Sequence, residues 1–422
     1  MKNMTAIILA AGRGTRMKSR TPKVLHKILG RTMLSYVIDS VTSSGVSDVV
    51  IVAGYGRQEI EAALEGEGVK VVLQKKLLGS GDAVSSARKA VKAGVTDVLV
   101  ACGDAPLVRP ATFKRLMAKH RESGASATVL TAIMKDPASY GRIVREGGRI
   151  TKIVEKKDAT PREEVIREIN VGAYCFRAKD LFAALSGIGT DNAKKEYYLT
   201  DVIEILKKRS LAVESVLAED ESEAIGINTR NDLARASRVM KGSVISGLMS
   251  EGVTIEDPGT TTIYPGVKIG PDTTIYPNTV IESDVVIGRS CLVGPFARLR
   301  PGTKLCDGSE VGNFVELVRT TIGEKTKVKH HTYLGDAVVG KNVNIGAGTI
   351  TANFDGRKKN KTVIGNGAFI GVGAILIAPV KIGQRATVGA GCVVPKGKNV
   401  RPGETVVGVP ARTLSKGRKN AK

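Results

Sequence analysis

From Ile263 onward a single spacing governs the chain. Aliphatic residues stand at Ile263, Ile269, Ile275, Ile281, Ile287, Val293, Leu299, Leu305, Val311 and Leu317, and again at Ile364, Ile370, Leu376, Ile382, Val388 and Val394. Such hexapeptide periodicity is the signature of a parallel β-helix. Each hexad forms one flat wall and three walls make a coil. The aliphatic residue points inward and stacks on its counterparts in the coils above and below. Burying each is worth roughly 1.5–3 kcal/mol, so the stack supplies a core without helices. Glycine, asparagine and aspartate at the corners suit the tight turns. The register breaks between Asn353 and Thr362, where "NFDGRKKNK" is expected to leave the coil as a loop. A loop emerging from a regular solenoid is a candidate functional element.

The chain before this repeat has a different grammar. "DVVIVAGYG", "VKVVLQ" and "DVLVACGDAPL" read as short buried strands, with "RQEIEAALEG" and "GDAVSSARKAVKAG" as amphipathic helices between them. That alternation predicts a mostly parallel α/β sheet. Residues 229–249 read as a linker helix with Leu233, Ala236, Val239 and Met240 near one face. The chain of 422 residues therefore divides into 1–228, the helix 229–249 and 250–422.

Ligands of open α/β sheets gather at the carboxyl ends of the strands. Gly12 and Asp104 both fall at such ends. The first is in "IILAAGRGTRMKSRTPKVLHK", where an apolar strand stops at a glycine-rich, basic turn. This turn fits neither the dinucleotide fingerprint nor the Walker loop, because the third glycine and the Gly-Lys-Ser/Thr run are missing. Its physics is nonetheless that of a phosphate loop. Small residues from Ala10 to Gly14 let a ligand approach the backbone. Arg13, Arg16, Lys18, Arg20 and Lys23 add positive charge, and Pro22 fixes the chain before Lys23. A nucleoside triphosphate fits this turn; an ordinary strand-to-helix turn with solvated charges is the alternative. Asp104 reads either as a turn cap or as a metal ligand facing the nucleotide.

The net charge of +23 raises the question of nucleic acid. There is no Trp, and aromatic residues make up 4%, so few bases could be stacked. The basic residues are spread along the chain, apart from "GRKKNK" and the tail "SKGRKNAK". Anionic small substrates account for local positive charge equally well, and specific nucleic-acid binding is not expected. Nor is membrane insertion, since no apolar run approaches the roughly 20 residues of a spanning helix. The five cysteines are scattered, without metal or disulfide spacing, and a reducing cytoplasm is the simplest home.

Longer motifs narrow the reading. "LAAGRGTRM", "PKVLH", "GDAPL", "YGRIVRE", "VEKKDAT", "EINVGAY", "EYYLTD" and "GINTR" in the first half, with "GPFARLRPG", "GNFVEL", "HHTYLGDA", "VNIGAGTITANFDG" and "GAGCVV" in the second, resemble the bifunctional bacterial UDP-N-acetylglucosamine pyrophosphorylase / glucosamine-1-phosphate N-acetyltransferase family. The resemblance covers nearly the whole chain. It implies a Rossmann-like nucleotidyltransferase domain, a linker helix, a left-handed parallel β-helix of hexapeptide repeats, and a homotrimer. It also implies two reactions serving cell-wall precursor synthesis. One transfers uridylyl from UTP to N-acetylglucosamine-1-phosphate; the other moves acetyl from acetyl-CoA to glucosamine-1-phosphate.

The resemblance further implies site residues. Leu9, Ala10, Ala11, Gly12, Gln74, Gly79 and Ser80 would contact the nucleotide, and Arg16 and Lys23 would neutralise phosphate charge. Asp104 and Asn228 would hold Mg²⁺, a hard ion suited to oxygen ligands. Gly141, Glu155 and Asn170, with Asn228, would hold the sugar. In the second half His330 would be the base, with Arg300, Tyr333, Asn344, Ala347, Asn353, Phe354 and Ala390 facing substrate or acetyl-CoA. Without the motif, His330 would read as one of two surface histidines on a solenoid.

The chain departs from the family pattern at several places. Ser80 replaces a usual Thr and Cys102 a common Tyr. Val318 stands where a lysine faces the sugar phosphate, with Arg319 one residue on; neighbouring strand residues face opposite sides, so Arg319 should not simply substitute. Val372 replaces a serine, and Gly408 an arginine. A lost charge-assisted hydrogen bond costs about 1.5–3 kcal/mol, or roughly ten- to hundredfold in handling the acceptor. Alternatives therefore remain: a different sugar preference, a β-helix that serves only as a trimerising scaffold, or a noncatalytic regulatory homologue. The intact phosphate loop and metal positions argue against the last.

Overall fold

The computed structural model describes residues 3–414; the basic tail "SKGRKNAK" lies outside them. Two compact units divide between Val239 and Met240, inside a helix that runs Arg230–Ser250.

The first unit is built on a sheet whose strands follow the order Val213–Leu217, Ala127–Ile133, Glu168–Arg177, Asp97–Cys102, Met4–Ala10, Asp48–Ala53, Lys70–Leu73. All neighbours are parallel except Glu168–Arg177, which runs against both of its partners. A hairpin, Arg142–Glu146 with Arg149–Val154, branches from it at Ile169. The central strands are apolar on both faces because both are covered. Ala6, Ile8, Val49 and Ile51 pack with the helices Met33–Ser43 and Pro110–Ser123, whereas Ile7, Val50 and Val52 pack with Ser80–Ser86, Ala178–Leu185 and Asp201–Lys208. The helix expected across "GDAVSSARKAVKAG" is shorter than its pattern. It ends at Ser86, a 3-10 turn covers Arg88–Ala90, and Val91 turns extended and packs against the core.

The second unit is a three-walled parallel coil in which each strand pairs with the strand one coil on. Ile263, Ile281, Leu299 and Leu317 stack in register along one wall, and the inward residue of every hexad named above is buried. Ile322, Val328, Leu334, Val339 and Ile345 continue the stack between the two sixfold registers. Two five-residue steps, Leu317 to Ile322 and Leu334 to Val339, shift the phase there. Ile245 and Leu248 of the helix join this core. At one corner Asn278, Phe296, Phe314 and His331 all adopt left-handed φ (58°, 56°, 56° and 44°). The rings of Phe296, Phe314 and His331 stack along it at 5.2 and 5.0 Å. The loop after Asn353 does leave the coil. Asp355 shapes it by accepting the N–H groups of Arg357 and Lys358 and the Asn360 amide, while Phe354 stands exposed.

Candidate functional site

At the carboxyl ends of the parallel strands the opening turn borders a cavity of about 720 Å³. Leu9, Ala10, Ala11, Gly12, Gln74, Gly79 and Ser80 all line it, with Arg13, Lys23, Cys102 and Asp104. A Cβ on Gly12 would meet nothing within 4 Å, so the backbone there is open to a ligand. Gly79 has φ +119°, and a Cβ on it would lie 2.5 Å from the Tyr197 carbonyl oxygen; no other residue fits. The buried Gln74 amide is fixed by donating to Gly79 O (3.0 Å) and Asp82 Oδ2 (2.7 Å). Ser80 Oγ accepts the Leu199 N–H at 3.0 Å. Burial pushes the Cys102 thiol up to about 12, with Asp104 adding to the effect, so this sulfur is no nucleophile at neutral pH.

Lys23, Asp104, Asn228 and Arg16 form one chain of contacts. Lys23 Nζ pairs with Asp104 Oδ2 and lies 3.2 Å from Asn228 Oδ1, which also accepts from Arg16 Nη2 at 2.8 Å. Asn228 reaches Asp104 because the Ile227 N–H bonds the Asp104 carbonyl at 2.9 Å. Two hard oxygen donors thus converge on one cation, the Lys23 ammonium. That donor set fits Mg²⁺, which is bound by one or two protein oxygens and completed by water and substrate phosphate.

A second cavity of about 570 Å³ adjoins this chain, lined by Thr15, Arg16, Ser139, Tyr140, Glu155, Lys156, Lys157, Lys194 and Asn228. Burial raises the Glu155 carboxyl above its ordinary range, opposed by Lys194 and by a hydrogen bond from Thr200 (3.2 Å). Burial, with Glu155 next, lifts nearby Asp201 to about 6. Gly141 and Asn170 are joined backbone to backbone at 2.9 Å but do not line this cavity. The Asn170 side chain is engaged by the Tyr174 hydroxyl (2.6 Å) and the Gly172 N–H (3.1 Å). Tyr140 and Lys194 were not picked out as candidates from the sequence. Tyr140 sits in "YGRIVRE", next to the chosen Gly141, and its hydroxyl accepts the Gly226 N–H at 3.0 Å.

In the coil, His330 ends the strand Lys327–His330, exposed, with Nδ1 2.9 Å from Asn313 Oδ1. Asn344 lies on the same wall, and Ala347 and Ala390 follow strands of that wall. Tyr333 and Asn353 belong to the next wall, with Arg300, which donates to Glu316 at 2.8 Å. One chain therefore spreads these residues over two walls rather than around one cavity. Val318 is buried, and Arg319 is turned to Asp336 through two hydrogen bonds of 2.6 and 2.9 Å. Asp336 also accepts the Asn353 amide at 2.5 Å. Val372 is exposed, and Gly408 lies in the turn of a hairpin in which Arg412 pairs opposite Val407.

Comparison with known proteins defines the class first. Residues 6–185 match the MobA-like NTP transferase domain, and residues 361–396 match the bacterial transferase hexapeptide (six repeats). The molecule is a nucleotidyltransferase domain followed by a left-handed hexapeptide β-helix. Proteins named "Bifunctional protein GlmU" are similar along almost its whole length. The one from Pelotomaculum thermopropionicum is 46% identical over 413 residues, covering 90% of each chain. That of Carboxydothermus hydrogenoformans is 46% identical over 422 residues, covering 92% of this chain and 94% of its own. That of Listeria monocytogenes serotype 4a is 41% identical over 432 residues, covering 94% of each. The chain belongs to the GlmU family. Among the described residues, no helix is long and apolar enough to cross a membrane.

Proposed function

We propose that this protein makes UDP-N-acetylglucosamine for cell-wall synthesis through two transfers, one in each unit. In the first, a phosphate oxygen of N-acetylglucosamine-1-phosphate attacks the α-phosphorus of UTP. A P–O bond forms, the α–β bond breaks, and pyrophosphate leaves. No covalent enzyme intermediate is needed, so the site works by positioning and charge neutralisation. Leu9 to Gly12, Gln74, Gly79 and Ser80 seat the nucleotide, and Arg16 and Lys23 meet the phosphates. Asp104 and Asn228 would hold Mg²⁺, which when bound would offset phosphate charge. Glu155 and Asn228, with Gly141 and Asn170, take the sugar. The carrying observation is the convergence of Lys23, Asp104 and Asn228, the first two of them lining the same cavity as Gly12 and Gly79.

In the second transfer the amine of glucosamine-1-phosphate attacks the thioester carbonyl of acetyl-CoA. A C–N bond forms, the C–S bond breaks, and the CoA sulfur leaves as thiol. An ammonium is not a nucleophile, so His330 removes a proton; a positioned base contributes about 10²–10⁴-fold. Arg300, Tyr333 and Asn353 on one wall face the acceptor, and Asn344, Ala347 and Ala390 on the next face acetyl-CoA, with Phe354 on the loop. The division between walls supports a homotrimer in which adjacent copies complete each site. The cytoplasm, where UTP and acetyl-CoA are made, is the place for both reactions.

The test measures CoA release from acetyl-CoA with glucosamine-1-phosphate, and pyrophosphate release from UTP with N-acetylglucosamine-1-phosphate. Both products are expected, and His330→Ala should abolish CoA release while leaving pyrophosphate release intact. A second reading draws on Val318 and on the commitment of Arg319 to Asp336, which leave Arg300 without a second cation beside it for the acceptor's phosphate. Pyrophosphate without CoA would establish that reading, a scaffold or a changed acceptor.

A further inference from the structure

We infer that Asn313 is the positioning residue that holds the His330 ring in its base-competent tautomer; this rests on the acetyl-transfer reading above. Asn313 ends the strand Glu310–Asn313, and His330 ends the strand one coil further on. The strands are parallel with Asn313 directly opposite His330, and the His331 N–H bonds the Asn313 carbonyl at 3.0 Å. That register brings Asn313 Oδ1 to 2.9 Å from His330 Nδ1. An amide oxygen can only accept, so the contact requires the proton on Nδ1 and leaves the Nε2 lone pair free. Without this acceptor a neutral imidazole divides between its tautomers. The form protonated on Nε2 presents a donor where the amine must lose its proton.

The neighbouring groups are committed elsewhere. Glu310, the carboxylate in the same recess, is held by Lys329 (2.8 Å) and Lys327 (3.3 Å). The His331 ring stacks on Phe314. This leaves the tautomer to Asn313. If its amide were reversed, its N–H donors would face Nδ1 and lock the opposite, incompetent form. The tautomer itself is therefore the decisive observable.

The experiment uses full-length protein labelled with ¹⁵N-histidine. The chain has four histidines, and His330→Gln assigns the relevant pair of signals. The expected spectrum shows a protonated Nδ1 and an unprotonated Nε2. Asn313→Ala should shift the population toward protonated Nε2 and lower kcat for acetyl transfer about three- to tenfold. The KM for acetyl-CoA and the rate of pyrophosphate release should not change. Asn313→Asp keeps an acceptor and should restore both tautomer and kcat. A native ring protonated on Nε2 would overturn the inference. So would Asn313→Ala leaving tautomer and kcat unaltered while His330→Ala abolishes acetyl transfer. Acetyl transfer that survives His330→Ala is a different result: it removes the base assignment, and this inference with it.

Discussion

Gly335 offers a way to damage the proposed acetyl-transfer site while sparing the fold. A Cβ built there would lie 2.5 Å from Asn353 Nδ2 and 2.6 Å from the Tyr333 hydroxyl. Real Cβ atoms do not approach neighbours so closely, so both groups must move. Both are the ends of side chains, and the backbone of Gly335 is not left-handed. Alanine can therefore be accommodated without unwinding the coil. The hydrogen bonds of Gly335 to Thr351, 2.8 Å from its N–H and 3.2 Å to its carbonyl, use backbone atoms and persist. The bond from Asn353 to the Asp336 carboxylate does not. A hydrogen bond to a charged group is worth about 1.5–3 kcal/mol, and about 1.4 kcal/mol corresponds to tenfold. Each of the two displaced groups offers the acceptor a hydrogen bond worth about 0.5–1.5 kcal/mol, so Gly335→Ala should lower kcat/KM for acetyl transfer roughly five- to hundredfold, read as CoA release. Pyrophosphate release should stay at the native rate, and the thermal midpoint should fall by roughly 3–12 °C, the same 1.5–3 kcal/mol taken from the folded state. Acetyl transfer within about threefold of native in a folded variant would refute the reasoning, because Asn353 and Tyr333 would then not need their observed positions.

Two further outcomes are expected in the first unit. Lys23→Ala should reduce pyrophosphate release by roughly ten- to hundredfold through loss of a charge-assisted phosphate contact, with CoA release unchanged; near-native turnover would remove Lys23 from the site. Asp201→Asn addresses a half-buried carboxyl lifted to about 6 by burial and then by Glu155. A carboxyl whose folded value exceeds its unfolded one favours the folded state while protonated, and that advantage is lost as pH rises from about 4 to 6. The asparagine variant should accordingly be more stable above pH 6, by ~1 kcal/mol after allowance for solvent screening, with the gain shrinking toward pH 4. Equal urea midpoints for variant and native protein at pH 7.5 would contradict this.

The coil was legible because its signal is a period. Sixteen inward positions could be read from the spacing, and all are buried. The interval between the two registers was not, because two walls of five residues each shift the phase while Ile322, Leu334 and Val339 keep the stack going. The linker helix was legible as a helix but not in its burial: Ile245 and Leu248 are covered, whereas Leu233 and Val239 are only partly so. The turn after the first strand, which borders the cavity, announced itself by glycine and charge. The convergence of Lys23 on Asp104 and Asn228 could not be read locally, since it depends on the Ile227 backbone bonding the Asp104 carbonyl across the sheet top. Asn313 went unnoticed for the opposite reason. It lies one coil before His330, inside "GNFVEL", and meaning attaches to it only when the register sets the two side by side.

The register also explains what Arg319 does in place of a phosphate-facing cation. Its left-handed φ of 47° turns the side chain along the corner, where its guanidinium grips Asp336 with both oxygens engaged. The Arg319 bond, more than the later contribution of Asn353, holds the Asp336 carboxyl below the usual carboxylate range against the opposing effect of burial. A carboxylate so fixed can receive the Asn353 amide nitrogen, which leaves the Asn353 oxygen as an acceptor. The charge of Arg319 is thus spent on orienting an acceptor beside Tyr333, a group suited to an amine or hydroxyl and not to a phosphate. Arg300 differs. It gives one nitrogen to Glu316, while its Nε is buried without a partner. A buried guanidinium donor left unsatisfied is costly; the remainder of the side chain is partly exposed and open to a ligand. With Val318 apolar and Arg319 committed to Asp336, Arg300 is the proposed partner on this wall for the acceptor's phosphate.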